Sequence, residues 1–124
     1  MIEAAGLTRT FGRVQALDGL TFRVEKGEIV GFVGPNGAGK TTTMRILTCT
    51  LPPTAGGARV AGFDVTEAPD EVRRRLGFMP ENVPLYPDAT VDELLRFTAE
   101  LKGVPTPGLP AHLDAVVDLS LIHI

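Results

Sequence analysis

Residues 34–42 read Gly34-Pro35-Asn36-Gly37-Ala38-Gly39-Lys40-Thr41-Thr42 and meet the pattern G-x-x-x-x-G-K-[ST] in full. No other stretch constrains the fold as strongly, because such a loop works only between a strand and the helix it opens. Ahead of it, Glu28-Ile29-Val30-Gly31-Phe32-Val33 is a short apolar run that predicts a strand buried on both faces. Behind it, Met44, Leu47 and Leu51 fall at helical spacing until Pro52-Pro53 end the pattern. Strand, glycine loop, lysine and helix in that order predict a site for a nucleoside triphosphate.

The residue types follow from the ligand's chemistry. A triphosphate carries several negative charges, and a helix start offers unpaired N–H groups and the positive end of a dipole. The backbone can curl around phosphate only where side chains do not obstruct it. Gly34, Gly37 and Gly39 supply that freedom, and successive N–H groups of the loop form an anion-binding nest. Lys40 is placed to reach the β- and γ-phosphates as a point charge, and the Thr41 hydroxyl to ligate Mg²⁺. Thr42 adds a phosphate hydrogen bond. A glycine turn that happens to precede a helix would share the pattern, but the flanking apolar strand and helix argue against chance.

Composition sets limits on the rest. With 124 residues the chain holds one domain at most, and 44% hydrophobic residues are enough for a modest core. Twelve basic and fifteen acidic residues leave a net charge of −3, which argues against a nucleic-acid binder. No apolar run approaches membrane-spanning length, and the N-terminus carries no signal-peptide pattern. Cys49 is the single cysteine, so no internal disulfide is possible and a reducing cytosol fits. On a helix it reads as a small buried apolar residue rather than a nucleophile.

Elsewhere the pattern is mixed. Leu20, Phe22 and Val24 alternate with Thr21, Arg23 and Glu25, which predicts a half-exposed strand. Ile2 to Thr8 predicts a second strand of the same small antiparallel layer, and Ala58 to Ala61 a short one after the Gly56-Gly57 turn. Pro69 to Leu76 reads as a helix, and Gly77-Phe78-Met79 as a brief strand. Thr90-Val91-Asp92-Glu93 is a capping box, opening a helix with Val91, Leu94, Thr98 and Leu101 on one face and Leu95 beside them. Val104 to Pro110 is a loop, and a last helix runs from Leu109 to Asp118.

Taken together these segments resemble a known family. The loop at 34–42 has the form typical of ABC-type ATPases. Arg9-Thr10-Phe11-Gly12 followed by Ala16-Leu17-Asp18-Gly19-Leu20-Thr21-Phe22 is similar to the opening of an ABC transporter ATP-binding domain. So are Lys26-Gly27-Glu28-Ile29, Thr43-Met44-Arg45-Ile46-Leu47 and Val60-Ala61-Gly62-Phe63-Asp64-Val65. Arg75-Leu76-Gly77-Phe78-Met79-Pro80-Glu81 resembles the approach to the family's Q-loop, and Pro80-Glu81 with Leu85-Tyr86 looks most like exporters of drugs, ions or lipids. The resemblance spans residues 1–118.

The resemblance implies an α/β fold, a P-loop NTPase core that is incomplete here, with a small antiparallel β layer and the start of a helical subdomain near Asp88. It implies an ATP-binding subunit of an ABC transporter, coupling ATP binding and hydrolysis to transport with ATP and Mg²⁺ bound. Its partners are a second ATP-binding domain and transmembrane permease subunits at the inner face of the cell membrane, with no nucleic acid. Gly34, Pro35, Asn36, Gly37, Ala38, Gly39, Lys40, Thr41 and Thr42 then contact the nucleotide. Phe11 sits where the family places an aromatic ring that stacks on adenine, worth about 1–3 kcal/mol by analogy with base–aromatic pairs. Glu81 takes the place of the Q-loop glutamine, which touches Mg²⁺ or its water. A carboxylate there can accept from metal-bound water but adds negative charge beside the γ-phosphate. Cys49-Thr50 stands where a glycine and an apolar residue are common, a change that reads as neutral packing.

Other residues have plainer readings. Arg73-Arg74-Arg75 reads as a solvated helix face, and His112 has no ligand partner near it in sequence. Asp88, Asp92 and Glu93 read as turn and helix-start acids. ABC-type hydrolysis further needs a Leu-Ser-Gly-Gly-Gln signature, an Mg-anchoring Asp, an adjacent Glu and a switch His. None of these motifs lies within residues 1–124. Lys40 and Thr41 alone then bind nucleotide but hydrolyse it poorly.

The closing hexapeptide Leu119-Ser120-Leu121-Ile122-His123-Ile124 is what one frame of a common transposase-based sequencing adaptor encodes (CTG TCT CTT ATA CAC ATC). Residues 1–118 therefore read as the N-terminal part of one ABC-type ATP-binding domain, and 119–124 as translated adaptor. Such a fragment is expected to leave sheet edges and apolar surface exposed. Two alternatives stand beside the transporter: a non-hydrolysing nucleotide-binding fragment, and a soluble ABC-type ATPase of translation or DNA repair. Sequencing the source DNA across codon 118 with adaptor trimmed is expected to read on into a Gly-rich signature and an acidic strand. A stop codon directly after Ile124 would instead make nucleotide binding without hydrolysis the leading function.

Overall fold

Ile2–Phe11 (β1) and Val14–Val24 (β2) form a long antiparallel hairpin, with Phe11 opposite Val14 and Ile2 opposite Val24. The computed structural model describes residues 1–83 and 85–120. They fall into two units that divide after Phe78. In the first, β1 also pairs antiparallel with Ala55–Val60 (β3), which pairs with the two-residue Phe63–Asp64 (β4), giving the order β2-β1-β3-β4. The helices Lys40–Leu47 (α1) and Pro69–Arg75 (α2) complete the unit. The antiparallel layer expected from the alternation is present, and Leu20, Phe22 and Val24 are half-buried in it while Thr21 and Arg23 are exposed.

Ala4 and Leu7 are both buried although three positions apart, which a regular strand would forbid because side chains alternate faces. A register shift between them turns Leu7 back to the core face. At this bulge β1 and β3 come very close: a Cβ on Gly56 would lie 2.0 Å from the Gly6 carbonyl oxygen. Ala4, Leu7, Leu17, Ala58 and Val60 from the sheet then meet Ile46 and Leu47 of α1, and Val65 and Val72 around α2. Leu7, Ile46 and Val72 are fully buried, and burial of such side chains contributes roughly 1.5–3 kcal/mol each.

α2 begins with Pro69, carries Asp70 and Glu71 in its first turn and ends in Arg73, Arg74 and Arg75, an order that complements the helix dipole. The arginines pair along the helix with Asp70 and Glu71, as a solvated face should. Arg73 also donates to the Cys49 carbonyl at 2.7 Å, and the Arg75 guanidinium lies over the Phe63 ring.

Several expectations need correction. Residues 28–33 do not form a strand: Ile29 and Val33 are almost fully exposed, and Val30 more than half. Only Phe32 is half-buried, 5.7 Å between ring centroids from Phe22. Between the run and α1 lies an apolar cavity of about 380 Å³ lined by Phe22, Val30, Phe32, Met44 and Leu47. A strand buried on both faces needs hydrogen-bonding neighbours, and among the described residues no strand pairs with this run. Gly77-Phe78-Met79 is likewise irregular and exposed. The helix after the loop ends at Leu47 rather than running on to the prolines.

That helix end is a Schellman motif. The Thr50 N–H donates to the Arg45 carbonyl at 2.9 Å and the Cys49 N–H to the Ile46 carbonyl at 3.0 Å. The motif puts Cys49 in the left-handed region with φ of 57°, where glycine is preferred. The exchange of glycine for Cys49 is therefore backbone strain and not neutral packing. The Cys49 side chain is half-buried against the core, and burial pushes its thiol pKa up, as suits an inert packing residue.

In the second unit, Val91–Leu101 (α3) and Leu109–Ser120 (α4) pack together. The capping box is formed: the Glu93 N–H donates to the Thr90 hydroxyl, and the Thr90 N–H to the Glu93 carboxylate at 2.8 Å. The Thr90 hydroxyl also donates to the Glu93 carboxylate at 2.8 Å, and the two bonds donated by the Thr90 backbone N–H and hydroxyl hold the Glu93 carboxyl below its usual value. The cap is thus at full strength above the ordinary carboxylate range and is lost as pH falls through the lowered native value. The packed face differs from the expected one. Leu95 and Ala99 meet Leu109, Leu113 and Val104, whereas Val91 and Leu101 are exposed. Leu95 and Ala99 are four apart on one stripe, and the small Ala99 admits α4 closely. Tyr86 and Phe97 meet edge to face at 6.1 Å. α4 continues through Leu119 and Ser120, and the rest of the expected adaptor stretch lies outside the described residues. Among the described residues no helix is long and apolar enough to cross a membrane.

Cys49→Gly is expected to stabilise the chain by about 0.5–1 kcal/mol, the left-handed penalty less some lost packing. Cys49→Ala keeps the Cβ and brings no such gain. Tm values of the two variants against the parent check this; equal shifts in both would remove the strain argument.

Candidate functional site

The 34–39 loop is built by its own backbone. The Ala38 N–H donates to the Pro35 carbonyl at 3.2 Å, closing a turn, and Gly37 and Gly39 both stand at φ of 83° on either side of Ala38. Alternating backbone hands of this kind point successive N–H groups to one side, which makes a concave anion nest. Gly39 is the N-cap of α1, and no side chain caps that end. The first intrahelical bond is from the Thr43 N–H to the Gly39 carbonyl at 2.8 Å, so the N–H groups of Lys40, Thr41 and Thr42 precede the helical ladder.

The two inner glycines are required for different reasons. A Cβ on Gly37 would meet nothing, so only its positive φ demands glycine. A Cβ on Gly39 would lie 2.5 Å from the Ala16 carbonyl oxygen and 2.5 Å from Leu17 Cδ2. Gly39 therefore seats the loop–helix corner directly on β2. Thr43, fully buried, donates its hydroxyl to the Gly39 carbonyl at 2.9 Å and holds the corner from the helix side.

Lys40 folds back over the loop. Its Nζ donates to the Gly34 carbonyl at 2.5 Å and the Pro35 carbonyl at 2.7 Å. An ammonium has three donors, and among the described residues no carboxylate pairs with this one. The cation is thus tethered by neutral carbonyls at the mouth of the nest, with its full charge available to an anion. The Thr41 side chain is exposed and Thr42 half-buried. Uncapped N–H groups, a tethered ammonium and two hydroxyls form a donor set that fits a polyphosphate. For a divalent ion, the described residues hold no cluster of three His, Cys, Asp or Glu. The Thr41 hydroxyl with phosphate oxygens and water fits Mg²⁺, which keeps several waters and needs few protein ligands.

The structure gathers residues 34–42 into this one corner. Phe11 belongs to the same unit, at the end of β1, and is 42% exposed. Glu81 lies in the second unit, in an exposed irregular segment. Two contributors were missed from sequence. The Ala16–Leu17 contact that demands Gly39 has no local signal. Arg9, whose guanidinium carbon is 4.6 Å from the Phe11 ring centroid, did have one. It sits two positions earlier on the same strand, where side chains share a face.

Comparison with known proteins gives the family of the chain. Residues 17–119 match the family described as ABC transporter. The chain is 43% identical over 104 residues to the probable multidrug ABC transporter ATP-binding protein YbhF of Escherichia coli (strain K12), covering 84% of this chain and 18% of that protein. It is 42% identical over 102 residues to the daunorubicin/doxorubicin resistance ATP-binding protein DrrA of Streptomyces peucetius, covering 82% and 31%. Among solved structures, the ATP-binding subunit of an ABC transporter superposes with a TM-score of 0.86 at 29% identity, over 95% of this chain and 49% of that one. Dimeric MJ0796, a bacterial ABC transporter cassette, gives 0.74 at 29% identity, over 82% and 48%. The chain thus spans less than half the length of each of these proteins.

Gly37→Ala is expected to cost about 1–2 kcal/mol, the penalty of a left-handed alanine. Gly39→Ala should cost about 1–3 kcal/mol more, because the added methyl also meets a carbonyl and a leucine. Urea denaturation of both variants checks the difference; equal costs would mean that the corner does not rest on β2.

Proposed function

The chain belongs to the ABC transporter family, and on that premise we propose that it is part of a transporter's ATP-binding subunit, one that couples ATP binding and hydrolysis to movement of membrane-embedded permease subunits. The observation that carries this reading is the loop–helix corner, where Lys40 is tethered over uncapped N–H groups with no competing carboxylate among the described residues. ATP supplies the phosphoanhydride bond whose hydrolysis drives such a cycle. The chain's residues bind and orient it. The nest N–H groups and the α1 start hold phosphate oxygens, Lys40 neutralises charge on the β- and γ-phosphates, and Thr41 ligates Mg²⁺. The exposed ring of Phe11 is the platform for the base.

The wider assignment rests on the family. A second ATP-binding domain completes the site across a dimer, and the assembly sits at the inner face of the cell membrane through its permease subunits. The names of relatives associated with drug resistance support an exporter. A second reading applies to the chain by itself: residues 1–124 contain neither the glycine-rich signature nor the paired acids that would position water. The chain alone then binds nucleotide and turns it over slowly if at all.

Isothermal titration of the chain with Mg·ATP tests the proposal. Lys40→Ala should weaken binding about ten- to hundredfold, the scale of a lost charge-assisted contact. Equal affinity in the two proteins would refute a phosphate role for the loop.

A further inference from the structure

Arg9 lies against the proposed base platform, and the nucleotide reading gives it no role. It occupies the same face of β1 as Phe11, two positions earlier, and its guanidinium carbon lies 4.6 Å from the centre of the Phe11 ring. The guanidinium is anchored: Nη1 donates to the Pro52 carbonyl at 2.8 Å. Pro52 belongs to the segment that follows α1, and that segment is tied to β1 twice more. The Thr54 N–H donates to the Thr8 carbonyl at 2.8 Å, and the Thr10 N–H donates to the Thr54 hydroxyl at 3.1 Å.

The Nε of Arg9 is buried without a hydrogen-bond partner. A buried donor left unpaired is unfavourable, so the guanidinium is held where it is by the Pro52 carbonyl and the ring face, not by a full set of its own bonds. Phe11 remains 42% exposed with one face covered by the cation. A planar ring offers two faces, and the second is the one left for a base.

From this arrangement, and resting on the reading of Phe11 as the base platform, we infer that Arg9 is a positioning residue for nucleobase recognition. It covers one face of the Phe11 ring and holds the ring in place, so that a base stacks on the opposite face without first having to order the side chain. Preorganisation of this kind raises affinity by removing an entropy loss on binding. The cation–π contact also ties the platform, through Pro52, to the end of the helix that the phosphate loop opens.

Titrating the chain and its variants with ATP and with inorganic tripolyphosphate separates base from phosphate recognition. Arg9→Ala should lose about three- to thirtyfold in ATP affinity, while its tripolyphosphate affinity stays within about twofold of the parent. Arg9→Lys, which keeps a cation, should retain most of the ATP affinity, and Phe11→Ala should lose it as Arg9→Ala does. If Phe11→Ala weakens ATP selectively but Arg9→Ala does not, the inference falls and the platform reading stands. If the parent does not distinguish ATP from tripolyphosphate, or Phe11→Ala changes neither, the platform reading falls and takes the inference with it. Parallel losses of both ligands in Arg9→Ala and Arg9→Lys would reduce Arg9 to a structural residue and overturn the inference.

Discussion

The approach of Gly39 to the Ala16 carbonyl and Leu17 side chain of β2 ties the chemistry of this protein to its fold. A loop that turns N–H groups outward gains little from its own backbone bonds and must also be held by what lies behind it. Here the absence of a Cβ lets the corner sit on the sheet, and Thr43, Ile46 and Leu47 bury the following helix face beneath it. The same contact sets where Lys40 begins, and therefore where its ammonium can reach. A single methylene at residue 39 would displace loop, lysine and helix together, since interiors packed at crystal-like density do not absorb such a shift.

Charge at the site follows one logic. The helix start is not capped by a side chain, the loop amides are not paired by an acid, and the ammonium leans on neutral carbonyls. Each element that could neutralise the positive potential internally is replaced by one that leaves it in place. At α2 and α3 the opposite choice is made: Asp70 and Glu71, and Asp92 and Glu93, occupy the first turns, and arginines pair with Asp70, Glu71 and Asp92. The contrast separates a helix start left open to an anion from helix starts that their own acids stabilise.

Much of the site was legible in the chain because it is local. The loop residues and the capping box at Thr90 act over three or four positions, and short-range geometry reads them directly. The buried strand expected at 28–33 does not form, although the composition of the run suits one. Strand character there depends on neighbours that supply carbonyls and amides, and none is present among the described residues. The face of α3 was misread for a related reason: periodicity offers several apolar stripes, and the position of α4 selects Leu95 and Ala99.

By itself the sequence determined the phosphate loop, the antiparallel alternation of the β layer and the helix signals, since each is set by backbone stereochemistry and side-chain period within a few residues. Only the tertiary structure decided that Gly39 must be glycine for space as well as for φ, that Cys49 carries left-handed strain, and that Arg9 covers the Phe11 ring. Gly39 and Arg9 depend on contacts to Ala16 and Pro52, segments distant along the chain, and Cys49 on how the end of α1 is closed. Contacts of this kind are set by packing and leave no periodic trace in the order of residues.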